Sequence, residues 1–277
     1  MTFITRRDFI KYSAILGSLT LLPCRLMASQ AVNASSSAKG VNNYYLEHKQ
    51  ELTDAFRGVV KGAVQFLEPE LGSKLTQMIT QQALDLFDRL LPEFPDVGGE
   101  RNWVTKFIPI AAWYVALYQP MRANGKTAED VGKLVYELKK ISLQNVPKEK
   151  ALEEGAKMFS RESLDKMRSW AAWTQKREYP ANWVAYFKPG DGKEFDYGYD
   201  YTECGVVKYF KAQGVPELAP YLCLTDFPNS AAFGSGLQRT KAIGQGDDTC
   251  VFRYKKGRPV TQDWSTEIAL IKSRMSR

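Results

Sequence analysis

The sequence predicts an α+β protein, an N-terminal helical bundle followed by a C-terminal antiparallel sheet with short inserted helices. Three observations lead there. From Tyr44 to about residue 177, apolar residues recur every three or four positions, the repeat of one helical face. From Trp183 onward, aromatic residues alternate with polar ones, as in "EFDYGYDYTEC" at 194–204, the period of a strand with one face inward. Near the C-terminus, "LQRTKAIG" and "TCVFRYKK" flank the turn "QGDD", a hairpin signal.

The first element is an address. "TRRDFIK" pairs Arg6 with Arg7 ahead of the apolar run "YSAILGSLTLL" at 12–22, too short for a membrane span of roughly 20 residues. A basic start, a short apolar run and a small-residue exit describe a secretory signal, and the twin arginine makes it resemble a bacterial Tat signal. Residues 1–31 are therefore expected to be removed after Ala31, with Ala34 as a second candidate. The Tat translocase would be the export partner and the destination periplasmic or otherwise extracytoplasmic. Cys24, in "LLPC", hints at lipidation, but Pro23 fits such a site poorly. Residues 32–43, containing "NASSSAKG", read as a flexible linker. One domain is expected over 44–257, with 258–277 as a C-terminal tail.

Within the domain, Leu52, Phe56, Val59, Val60, Ala63 and Leu67 form one apolar face, and Leu75, Ile79, Ala83, Leu86, Phe87 and Leu90 a second. "PEFPDVGG" at 92–99 breaks the pattern. The apolar stretch 102–122 reads as a central buried helix that starts or kinks at Pro109. "TAED" at 127–130 matches a capping box and opens a helix to about Leu143. Helices after Pro147 and over about 161–176 complete the bundle. "GVVKYFKAQG" and "PELAPYLCL" are the short helices inserted among the strands, with Gly214 ending the first.

Composition narrows the function. Of 277 residues, 44% are hydrophobic and 25% charged, ordinary values for a globular chain with a core. Of the net charge of +7, Arg6, Arg7, Lys11 and Arg25 against Asp8 supply nearly half. No basic block is interleaved with aromatics, so nucleic acid is not an expected partner. No stable membrane span is expected in the mature chain. The single histidine, His48, excludes a histidine triad and a multi-histidine metal site. "GDGKEF" at 190–195 reads as a hairpin turn, since a phosphate loop needs a strand-to-helix setting.

Three cysteines follow the signal, each beside an acid: Cys204 in "TEC", Cys223 in "CLTD" and Cys250 in "GDDTC". One disulfide with a thiol left over, a metal site, free thiols lining a pocket with Asp226, and plain core burial all remain open. The spacings lack a CxxC pair, and neither metal nor other cofactor is expected. Asp226 could equally cap a turn, given Pro228 and Asn229. Arg239 could equally face solvent from a strand.

The ordered set "EYPANW", "FDYGYDYTEC", "ELAPYLCLTD" and "LQRTKAIGQGDDTCVFRY" resembles the L-2-amino-thiazoline-4-carboxylic acid hydrolase family over about residues 160–256. The resemblance implies hydrolytic opening of a cyclic amidine to a carbamoyl-cysteine. It points to Cys204, Asp226 and Cys250 as catalytic candidates, and to Arg239, Cys223 and Thr240 as substrate-binding ones. The chemistry suits these types: a carboxyl holds or transfers a proton, a thiolate attacks carbon, and a guanidinium grips a carboxylate by two bonds. The N-terminal signal and helical extension depart from the family pattern. The alternative is an exported, non-catalytic binding domain, more loosely similar to vinyl-reductase-like sensors. A polar pocket with Asp226 and Arg239 favours hydrolysis; a long apolar channel favours binding.

Overall fold

A computed structural model of the chain describes residues 43–275. The signal over 1–31 and all but the last residue of the linker lie outside the described residues. The helical half comprises α1 (Asn43–Glu47), α2 (Lys49–Leu71), α3 (Ser73–Leu90), α4 (Phe107–Ala123), α5 (Ala128–Gln144), α6 (Lys148–Lys157) and α7 (Arg161–Thr174). Helix α4 is buried nearly all round, from Ile108 through Leu117, and packs against α3 and α5. Pro109 is its third residue, in the opening turn, where the missing N–H would have had no helical acceptor. Thr127 and Asp130 close the expected capping box on α5.

The second half is a four-stranded sheet of β1 (Val184–Pro189), β2 (Tyr197–Glu203), β3 (Leu237–Lys241) and β4 (Cys250–Tyr254). Its order is β1-β2-β4-β3 and every pairing is antiparallel. The chain between β2 and β3 carries α8 (Gly205–Ala212), α9 (Ala219–Leu224) and α10 (Asp226–Phe233). Alternation on β2 works as the sequence suggests. Tyr197, Tyr199 and Tyr201 stand opposite Tyr254, Phe252 and Cys250, and Trp170 of α7 meets Tyr199 and Tyr201 edge-on or tilted. On the other face, Asp200 pairs with Arg253 and Lys188. Asp191 accepts N–H bonds from Lys193, Glu194 and Phe195, which makes "GDGKEF" a hairpin turn.

The β3–β4 connection turns through a short 3-10 segment, Ile243–Gln245, and Gly246 at φ 94°. That left-handed backbone favours glycine. Asp247 accepts the Ala242 N–H at 2.8 Å and pairs with Arg274 at 2.8 Å, so it braces the turn. Residues 258–277, expected to be a tail, contain a further helix, α11 (Trp264–Met275). Trp264 and Ile271 are buried, Trp264 stacks on Tyr221, and its N–H donates to the Tyr136 hydroxyl. Trp264, Ile268 and Ile271 follow helical spacing, a pattern short enough to pass for a tail. Just before α11, Gln262 bonds both the N–H and the C=O of Arg239, covering the open edge of β3. No described helix is long and apolar enough to cross a membrane.

Candidate active site

Asp226 is the first residue of α10, and Cys223 lies in the last turn of α9. The two short helices break at Thr225, and the break lies against β3. There Arg239 donates from Nη1 to Asp226 Oδ2 and to the Cys223 carbonyl, each at 2.8 Å. The guanidinium is fixed from its faces as well. Its carbon lies 4.6 Å from the Phe227 ring centre and 5.6 Å from that of Phe252, within cation–π range. Arg239 and Phe252 are cross-strand partners, which places this arginine on the aromatic inner face.

Cys250 begins β4 opposite Tyr201, and its sulfur accepts the Ile243 N–H at 3.2 Å. Cys204 directly precedes α8, where the Val206 and Val207 N–H groups and the Trp183 ring reach its sulfur. All three thiols are free. They lie close enough that a charge on Cys223 acts on Cys204, one on Cys250 acts on Cys223, and one on Cys204 acts on Cys250. The structure thus brings Cys204, Cys223, Asp226, Arg239 and Cys250 together. Thr240 is not among them. It is exposed, at the β-bulge between Arg239 and Lys241, and faces an outer notch of about 250 Å³ that Gln238, Gln262 and Glu267 help line. The bulge breaks the alternation and leaves both Thr240 and Lys241 exposed beside buried Arg239.

Burial governs the electrostatics. It pushes each of the three thiols up to about 12, outweighing the Arg239 charge near Cys223 and Cys250 and the α8 N–H groups at Cys204. The resting site therefore holds neutral thiols. Burial also raises Asp226 above the usual carboxylate range, against the pull of Arg239 and then Lys139. Yet the Asp226 side chain keeps 35% of its surface open. The carboxyl is thus surrounded mostly by protein while part of its surface stays accessible. Its Oδ2 belongs to Arg239, while Oδ1 receives no hydrogen bond from a described residue.

Three contributors escape the motif reading. Tyr114, in the middle of α4, has a fully buried hydroxyl with no partner among the described residues, and the charges of Cys223 and Asp226 act on it. Lys139, on α5, is 5% exposed; burial drives it down to about 7. Lys106, just before α4, is driven down to about 8 by burial. Tyr114 was invisible inside an apolar run. Lys139 left a signal, because it continues the stripe Val131, Leu134, Val135, Leu138, Ser142 where an apolar residue belongs. Among the described residues, no three His, Cys, Asp or Glu side chains could together hold a metal ion.

This convergence gives the comparison its footing. A family model described as L-2-amino-thiazoline-4-carboxylic acid hydrolase matches residues 106–254, more than half of the chain. The chain belongs to that family. The matched span of this L-2-amino-thiazoline-4-carboxylic acid hydrolase family member reaches further toward the N-terminus than the motifs of the sheet half. It takes in α4 and α5, and with them Lys106, Tyr114 and Lys139, beside every residue gathered from β2 to β4. The family's name implies hydrolase activity in general. The chain matches no curated protein and no solved structure.

Proposed function

We propose that this chain hydrolyses a small cyclic amidine bearing a carboxylate, such as 2-amino-thiazoline-4-carboxylate, to a carbamoyl-cysteine. The observation that carries the reading is Asp226, pinned through Oδ2 by a buried arginine, with Oδ1 unbonded and three free thiols clustered nearby. The ring carbon between sulfur and two nitrogens is electrophilic, and more so when the amidine is protonated. Asp226 Oδ1 suits that role, because a carboxylate in a desolvated site holds an amidinium strongly. Water is the favoured nucleophile, since thiols held up to about 12 carry almost no thiolate near neutrality.

The step balances without a cofactor. Asp226 takes a proton from water as the oxygen bonds to the ring carbon. The carbon–sulfur bond then breaks, its electron pair goes to sulfur, the proton returned by Asp226 makes the thiol, and the remaining hydroxyl proton leaves to solvent as the urea carbonyl forms. The product carries a urea group on nitrogen. Arg239 acts here as a positioning residue that orients Asp226 and lowers the cost of its negative charge. The buried Asp226–Arg239 pair beside the thiols speaks for hydrolysis over an apolar binding channel. Asp226→Asn keeps the shape and removes the proton carrier. Ring opening, followed as appearance of a free thiol, should fall by about 10²–10⁴-fold; undiminished turnover would remove Asp226 from the mechanism. We propose also that the paired Arg6 and Arg7 direct the folded protein out of the cytoplasm through the Tat route.

A further inference from the structure

We propose that Lys139 is the anion anchor of this site: its ammonium receives the carboxylate of the ring substrate while Asp226 receives the amidine end. The inference rests on the hydrolase reading for the identity of the ligand, but on the geometry of α5 for the site. Lys139 occupies the apolar stripe of α5, in the face turned to α4, α9 and α10. Only 5% of it is exposed, and its ammonium makes no hydrogen bond with a described residue. Of the titratable groups on elements packed against α5, Lys106 repels its charge and Asp226 attracts it.

The charge count is uneven. Asp226 has one negative charge and is already bonded directly to Arg239. Lys139 shares that same charge from farther away, so two cations lean on one anion. A buried ammonium without its own counter-charge is costly, and methionine at this place in the stripe would be cheaper. A small monoanion bound beside Lys139 would correct the imbalance. Arg239 cannot take that role easily. Its Nη1 is committed to Asp226 and Cys223 and its planar faces are covered by Phe227 and Phe252, which leaves only Nη2, buried and without a partner among the described residues. The cluster thus presents one acceptor without a partner, Asp226 Oδ1, and, beside the aspartate-bound Arg239, one ammonium with no direct counter-charge, Lys139. That pair selects a zwitterionic ring, cationic at its amidine and anionic at its carboxylate, over neutral amidines.

Thiazole-4-carboxylate, which cannot be opened, and its neutral carboxamide are the probes. Calorimetric titration of the whole mature protein at pH 8, in two buffers of different ionisation enthalpy, should show proton uptake with the carboxylate, because the anion recharges a lysine that burial keeps near 7. Lys139→Met should weaken carboxylate binding at least 10-fold and leave carboxamide binding as it was. It should also raise KM for 2-amino-thiazoline-4-carboxylate by a similar factor. Equal binding of carboxylate to both proteins, or binding without proton uptake by the wild type, would overturn the assignment. Wild-type protein that binds the carboxylate through Lys139 but opens no ring would leave the anchor standing and remove the hydrolase. Ring opening with an unchanged KM in the variant would do the reverse.

Discussion

Replacing Lys139 by methionine should stabilise the fold, and the gain should depend on pH in a defined way. In the unfolded chain the amine titrates at its ordinary 10.5; in the fold burial holds it at about 7. Above pH 10.5 it is neutral in both states and costs nothing through its charge. As pH falls from there, the unfolded chain binds the proton first, so the folded state loses about 1.4 kcal/mol per pH unit. Near pH 7 the folded amine also binds its proton, and the penalty levels off at roughly 5 kcal/mol. Removing Lys139 deprives Asp226 of a favourable neighbour, which takes back part of the gain, and relieves Lys106 of a repulsive one. The variant should therefore be more stable by several kcal/mol at pH 6 to 7, with the difference shrinking steadily toward pH 10. Urea unfolding of both proteins at pH 6, 7, 8, 9 and 9.5, followed by tryptophan fluorescence, measures it. A difference that stays constant with pH, or a less stable variant at pH 6, would refute the argument that Lys139 is a buried and uncompensated amine.

Thiol titration offers a second check. With Cys204, Cys223 and Cys250 free but held up to about 12 by burial, all three should react slowly with Ellman's reagent in the folded mature protein at pH 8 and fully in denaturant; a single reactive thiol in denaturant would reveal a disulfide. Gly155→Ala should cost about 1–3 kcal/mol by overpacking, because a methyl there would stand 1.8 Å from the Phe233 carbonyl oxygen where α6 meets α10; unchanged thermal unfolding would mean the helices pack less closely. Arg6→Lys with Arg7→Lys should abolish export, read as loss of the processed protein from the periplasm; normal accumulation there would exclude the Tat route.

The sequence by itself determined the class of fold and named five candidate side chains that the structure brings together. Helical spacing, the capping box at Thr127 and the alternating tyrosines of β2 are local signals, because backbone geometry sets their periods. The ordered cysteine, aspartate and arginine motifs pointed to five side chains that come together in space. Only the tertiary structure decided what those side chains can do. That Arg239 is spent on Asp226 depends on α10 docking against β3, a contact that no short window of sequence contains. That Thr240 faces outward follows from a bulge in one strand pairing. The neutral state of the thiols and the uncharged tendency of Lys139 arise from desolvation, which sums over atoms brought in from every neighbouring element. A lysine in an apolar stripe is visible in the sequence; that the carboxylate whose charge reaches it is already bonded to Arg239 is a property of the packed molecule alone.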